Sequence, residues 1–199
     1  MKTKELIKDV ARESFNQKGI QNVTLREVAA SLKKSYGNVT YHFPTKEHLI
    51  EELFQDYNSA LKELQIDHSG YENLLHYFLV LPEFSFDITV KYLFFFIDYV
   101  ELKRIYPEFI QKVEEENKGR KEKWKGLMQV LQKQGFLENK LADEDLEYIM
   151  ELSAGMRMVY FQENLGKQFD TLAFSKKVNQ LLLPYLSEQG KRFYEGFYR

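Results

Sequence analysis

Hydroxyl, aromatic and basic side chains crowd into one stretch, Thr24 to Lys46 (TLREVAASLKKSYGNVTYHFPTK), in an order that suits contact with nucleic acid. Arginine and lysine neutralise phosphates, while hydroxyls and aromatic edges meet bases or the adjoining backbone. Tyr36, Gly37, Thr40 and Tyr41 fall on one side of a short helical segment, with Val39 and Phe43 on the other. The first group offers two phenols, a hydroxyl and a spot with no side chain, where a partner's backbone can approach. The second would anchor the segment to a core.

The same stretch contains the signals that would position these groups. Thr24 and Glu27 form a T-x-x-E capping box, a start signal for a helix. Leu25, Val28, Ala29 and Leu32 then repeat at i, i+3, i+4 and i+7, which puts one apolar stripe on a core. Ser35 is placed to cap a second helix over Tyr36–His42, Pro44 stops it, and Thr45 caps a third. Two short helices joined by a turn of about three or four residues are the helix-turn-helix plan, whose second helix enters the major groove.

These residues resemble the DNA-binding domain of the TetR (tetracycline-repressor-like) transcriptional regulators. The resemblance lies in Thr24, Arg26, Val28, Ala29, Ser35, Gly37, Val39, the Y-H-F-P run Tyr41–Pro44, and the K-E-x-L spacing of Lys46, Glu47 and Leu49. Lys33 and Lys34 depart from it, standing where the family usually has Gly and Val, as does Thr40, where the family often has Tyr. The specific match covers about residues 5–55. It implies base-edge and adjacent backbone contacts from Tyr36, Gly37, Thr40 and Tyr41. Thr24, Arg26, Lys34, Ser35, His42 and Lys46 would hold phosphates and set register. Lys46, in the first turn of the third helix, would add its charge to an anion-binding helix N-terminus.

Composition agrees with a DNA reader on a helical body. The net charge of −2 over 199 residues hides an asymmetry: residues 1–50 hold nine Lys/Arg against five Asp/Glu, and the rest nineteen against twenty-five. A basic front module suits phosphate neutralisation, although a solvated charged surface looks the same. No run of about 18 apolar residues exists to cross a membrane, and the charged N-terminus is no signal peptide. Zero cysteines exclude disulfides and thiolate metal sites and fit the cytoplasm.

An all-α chain is expected throughout, split into a helix-turn-helix domain over residues 1–45 and a helical effector-binding and dimerisation domain over 46–199. Helices are expected at 4–18 and 46–65, then, after a loop at Asp67–Gly70, at 71–81, where Pro82 ends the helix. Further helices follow at 86–105, 107–134, 143–165, 171–188 with a kink at Pro184, and 191–198. Phe94, Phe95 and Phe96 are consecutive, so they spread over roughly 200° of a helix and cannot share one face. With Tyr92, Tyr99, Trp124, Met128, Met150, Met156, Met158 and Phe161 they fit either core packing or an apolar pocket between helices. The TetR resemblance implies the pocket, with Tyr92, Phe95, Phe96, Tyr99, Trp124, Met128 and Met156 facing a small, largely apolar effector. It also implies that the last two long helices pair with a second copy. Their apolar stripes are Leu146, Ile149, Met150, Ala154 and Met158, and then Phe174, Val178, Leu181, Leu182 and Tyr185.

Catalytic chemistry finds little foothold. There is no phosphate-cradling glycine loop and no G-x-S-x-G elbow. Glu72 and His76 stand four apart without a partner copy, short of a di-metal bundle site. No cofactor or metal is expected. The resulting expectation is a homodimeric repressor that binds a double-stranded operator and is released by a small effector. The competing expectations are a sensor or scaffold of the same fold without DNA, and a carboxylate-metal bundle enzyme.

Overall fold

The computed structural model describes residues 3–64 and 72–199. The regular elements among them are helices: α1 (Thr3–Lys18), α2 (Leu25–Ser31), α3 (Tyr36–His42), α4 (Lys46–Glu63), α5 (Leu74–Lys91), α6 (Phe94–Ile97), α7 (Tyr99–Ile105), α8 (Pro107–Lys133), α9 (Asp143–Glu163), α10 (Thr171–Asn179) and α11 (Glu188–Phe197). Short 3₁₀ turns occupy Ile20–Asn22 and Gln180–Tyr185. Among the described residues, extended pairing is limited to an isolated antiparallel bridge between Leu137 and Leu186. The all-α expectation holds, and the loop expected at Asp67–Gly70 lies outside the described residues.

The chain forms two compact units. The first comprises the described residues of Met1–Leu64 and Asp87–Val113, and the second those of Gln65–Phe86 and Glu114–Arg199. In the first, α1 brings Ile7, Ala11 and Phe15 to the core, α2 adds Val28 and Ala29, α3 adds Val39, and α4 adds Leu49, Ile50 and Leu53. Gly19, at φ 77°, ends α1 in a conformation that costs glycine little. Lys8 is buried, and its ammonium reaches Asp56 of α4 at 2.8 Å and Glu5 at 3.1 Å, which ties α1 to α4 by charge.

The helix expected over 86–105 is broken twice, before α6 and again at Asp98. The break solves the problem of three consecutive phenylalanines. Phe94 turns inward against Phe15 (centroids 5.2 Å apart), Phe95 against Phe54 (5.5 Å) and Phe96 against Tyr57 (6.1 Å). The backbone groups exposed by the interruption go to Asn16. Its amide nitrogen donates to the Lys91 carbonyl at 3.0 Å, and its oxygen accepts from the Phe94 N–H at 3.0 Å.

Elsewhere two prolines act differently from one another. The expected stop at Pro82 does not occur, because α5 runs through it to Lys91. An interior proline costs about 3 kcal/mol, and burial of Leu75, Phe78, Leu79 and Phe86 on the same helix offsets that. At Pro184 the expected kinked helix instead tightens into the 3₁₀ turn after α10. Proline has no N–H for the α ladder, and the Leu186 N–H closes the turn by a bond shared between the Leu182 (3.1 Å) and Leu183 (3.4 Å) carbonyls. In the second unit Leu75, Leu79, Met128, Leu131, Leu146, Ile149 and Leu186 form the core, with Phe86, Phe161 and Phe174 packed ring against ring.

Candidate nucleic-acid interface

The capping box that starts α2 is complete. The Thr24 hydroxyl accepts from the Glu27 N–H at 3.2 Å, and the Glu27 carboxylate accepts from the Thr24 N–H at 2.7 Å. The Thr24 N–H first, and then the Thr24 hydroxyl, which donates to the same carboxylate at 2.9 Å, hold the Glu27 carboxyl below its ordinary value. Ser35 accepts from the Asn38 N–H at 3.2 Å and Thr45 from the His48 N–H at 3.1 Å, so each of α2, α3 and α4 begins on its own hydroxyl cap. Between α2 and α3 the chain reverses at Lys33, whose φ of 53° places a side-chain-bearing residue in the left-handed region. The lysines therefore adopt the turn rather than abolish it.

With Val28, Ala29, Val39 and Phe43 buried, the opposite side of the pair is free. Lys33, Lys34, Ser35, Gly37 and Asn38 are exposed, Tyr36 is 45 % exposed and Tyr41 82 %. A Cβ built on Gly37 would meet nothing within 4 Å, so the chain's own packing does not require glycine there. The Arg26 guanidinium lies 4.8 Å from the centre of the Tyr36 ring, a cation–π contact that joins α2 to α3 and fixes the phenol's direction. The His42 ring sits edge-on to Tyr41 at 5.2 Å.

Two side chains have partners that spacing alone does not show. Thr40 is half-buried, and its hydroxyl lies within reach of the Tyr36 carbonyl (3.2 Å) and the Gly37 carbonyl (3.4 Å) of its own helix. With its proton committed there, the hydroxyl keeps only acceptor capacity for anything outside the chain. Lys46 donates to the Ile20 carbonyl and to the Val23 carbonyl at 2.8 Å, and burial pushes its ammonium below the usual lysine value. It is a tie between α4 and the α1–α2 turn. Lys33 and Asn38 are exposed on the same face, and Asn38, in the first turn of α3, was not among the residues expected there.

The residues expected around an effector are shared between the two compact units. Tyr92, Phe95, Phe96 and Tyr99 belong to the aromatic core of the first unit, where Tyr92 packs on Tyr57 at 5.7 Å. Trp124 and Met128 belong to the core of the second, with Trp124 against Phe78 at 5.0 Å, and Met156 is half-buried on α9.

Of the ten residues expected to pair with a second copy, five are covered by their own chain. Leu146, Ile149, Phe174, Val178 and Leu182 are 0–8 % exposed inside the second unit, and a side chain already covered by its own chain has no area left for another. Met150, Met158, Leu181 and Tyr185 are half-buried; Ala154 alone of the ten is exposed. The outward side of α9 and α10 instead carries Tyr148, Ala154, Gly155, Val159, Leu172 and Ala173. His76, the metal candidate, packs its ring on Phe197 at 5.5 Å. Among the described residues no helix is long and apolar enough to cross a membrane.

A family model described as "Bacterial regulatory proteins, tetR family" matches residues 7–53. Over 64 residues the chain is 34 % identical to the probable HTH-type transcriptional regulator YttP of Bacillus subtilis (strain 168), a match spanning 30 % of this chain and 31 % of that protein. Among solved structures it is similar along its whole length to a TetR-family transcriptional regulator from Marinobacter aquaeolei VT8: TM-score 0.79, 25 % identity, 100 % of this chain and 98 % of that one. A putative transcriptional regulator from Saccharomonospora viridis, in complex with choline, shares the fold at TM-score 0.73 and 16 % identity, over 93 % of this chain and 98 % of that one.

Proposed function

We propose that this chain, which carries the DNA-binding domain and the all-helical fold of the TetR family of bacterial regulatory proteins, works in the cytoplasm as a homodimeric transcriptional repressor. Residues 1–45 read a double-stranded operator, and residues 46–199 bind a small, largely apolar effector and pair with a second copy. The relatives reported above are transcriptional regulators, and nothing in them points to an enzyme.

The observation that carries the reading is the free face of α3. A helix held at its start by Ser35 and locked to the core by Val39 presents Tyr36, Gly37, Asn38 and Tyr41 outward, with empty space above Gly37. Glycine inside a helix costs up to about 1 kcal/mol relative to alanine, and here the fold gains nothing from it. A duplex edge pressed against α3 would. Tyr36, Gly37, Thr40 and Tyr41 supply base-edge and near-backbone contacts; Thr24, Arg26, Lys34, Ser35 and His42 supply register on phosphates. In a dimer the two copies of α3 enter successive major grooves, about 34–36 Å apart.

Release follows from differential affinity. An effector that prefers a conformation with α4 swung from the DNA-competent spacing lowers operator affinity, and a coupling of about 1–3 kcal/mol corresponds to roughly 5–150-fold. The choline complex of the Saccharomonospora viridis protein supports the idea that this fold can take a small molecule.

The test is a salt titration on duplex DNA from around the protein's own gene beside an unrelated duplex. The expected result is binding that discriminates between them and weakens steeply with salt. Equal, weak binding to both, and to duplexes selected from a random pool, would remove operator recognition and leave a helical sensor or scaffold.

A further inference from the structure

Ile20 is fully buried and opens the 3₁₀ turn that leads from α1 into α2. Its two backbone polar groups go to opposite charges supplied by distant parts of the chain. The N–H donates to Asp98 Oδ2 at 2.7 Å, and the carbonyl accepts from the Lys46 ammonium. Lys46 reaches further to the Val23 carbonyl at 2.8 Å. Thr24, the cap that sets the start of α2, is the next residue. Asp98 is the joint between α6 and α7, and Lys46 is the first residue of α4. The four-residue lead-in to the reading helices is therefore gripped from two sides, by elements outside the helix pair.

Both gripping groups are held against their preference. Burial raises the Asp98 carboxyl above its ordinary value and lowers the Lys46 ammonium below its own. Neutral partners for a single peptide group would cost less. A carboxylate and an ammonium give shorter, stronger and more directional bonds than neutral groups do, which suits a point that must not slide.

We propose that Asp98 and Lys46 are positioning residues for DNA reading, forming a two-point clip on Ile20–Val23 that sets where α2 and α3 stand relative to the duplex. The clip rests on the DNA-binding reading above and adds to it a determinant about sixty residues beyond the recognition helix. It also reassigns Lys46 from a phosphate contact to a holder of backbone.

Electrostatics and positioning predict opposite signs for Asp98, which makes the test sharp. Removing a negative charge from a DNA-binding unit should tighten binding through the phosphate field. Losing the clip should weaken it. In a salt titration of the full-length protein on a duplex that the wild type discriminates, Asp98→Ala is expected to bind about tenfold more weakly, within the range typical of coupled sites. Its salt slope should be unchanged. Asp98→Asn, which keeps an acceptor oxygen, should fall between the two, and it carries the test if the alanine variant proves unfolded. Lys46→Met should likewise weaken binding without lowering the slope, whereas loss of a phosphate contact would lower it by about one.

Hydrogen exchange without DNA separates the clip from the function it serves. Amides of Ile20–Thr24 should lose protection in Asp98→Ala or Asp98→Asn while α3 keeps its own. Unchanged protection there overturns the clip, whatever DNA does. Lost protection with unchanged or tighter DNA binding overturns the positioning role. A wild type that discriminates no duplex, with protection lost as expected, overturns the positioning role by removing the DNA reading it serves, and leaves the clip as a structural tie.

Discussion

Among the described residues, the exposed side of α2 and α3 and the exposed side of α9 and α10 differ in kind. On α2 and α3 the free face is polar and aromatic, and each helix is fixed within its first turn by a hydroxyl cap. On α9 and α10 the apolar residues Tyr148, Ala154, Gly155, Val159, Leu172 and Ala173 are exposed among charged ones such as Glu147 and Glu151, outward of a core that holds Leu146, Ile149 and Phe174. A polar face earns specificity only if its donors stand in the right place, and it is the face that is clipped and capped. An apolar face needs complementary shape and little else, and suits a second copy of itself. The contrast teaches that rigidity is invested where hydrogen bonds must be aimed.

The largest expected effect tests the inward and outward sides of α10 against each other. Phe174 is 0 % exposed and touches Phe86, Tyr160 and Phe161 with its ring. Phe174→Ala should cost about 3–5 kcal/mol, read from the urea midpoint of the second unit. Leu172, two residues away and 54 % exposed, should behave in the opposite way. Leu172→Asp is expected to stay within about 0.5 kcal/mol in chain stability, yet to move the sedimenting mass from two chains towards one. An intact dimer for Leu172→Asp would sink the outward-face assignment.

The next effect concerns the polar face. Gly37→Ala fills empty space, so the fold should gain up to about 1 kcal/mol while operator affinity drops by roughly tenfold or more, equivalent to about 1.4 kcal/mol. A melting temperature that rises with DNA affinity untouched would show that the space above Gly37 serves nothing.

The two surfaces were also unequally legible from sequence. Thr24, Glu27, Ser35 and Thr45 announce their helices because each cap bonds a backbone group three residues away, so the whole interaction lies within a short window. The exposed set on α3 follows from those boundaries. On α9 the 3.6-residue period of Leu146, Ile149 and Met150 was visible, but a period reveals only that a helix has an apolar side. Whether that side meets its own chain or another is decided by Phe86 and Leu79, far away in sequence. The break before α6 was hidden for the same reason: Asn16, more than seventy residues earlier, accepts and donates where the helix stops. Lys46 shows the limit within the motif itself. Its position matched a family pattern, and its partners, Ile20 and Val23, were not deducible from that position.

Smaller effects sharpen the picture of how the polar face is held. Lys33 keeps its left-handed conformation at φ 53°. A side chain there costs roughly 1–2 kcal/mol against the right-handed form, and glycine escapes the clash while giving back part of it as unfolded-state entropy. Lys33→Gly should therefore stabilise the first unit by about 0.5–1 kcal/mol, measured by urea unfolding. Destabilisation would mean that the lysine side chain does more at the turn than suffer its backbone.

The smallest effect is a pH dependence of the α2 cap. The Glu27 carboxyl is held below its ordinary value of 4.5, first by the Thr24 N–H and then by the Thr24 hydroxyl. For a group whose folded value is depressed, stability is present above the unfolded value and lost as pH falls through the folded one. The advantage of the wild type over Glu27→Gln should therefore be full near neutral pH, start to shrink below about 4.5, and vanish once the carboxylate is protonated in both states. The difference in melting temperature between the two proteins, followed from neutral to strongly acidic pH, measures it. A constant difference would show that the charge of Glu27 contributes nothing to the box, and that the Thr24 hydroxyl alone starts α2.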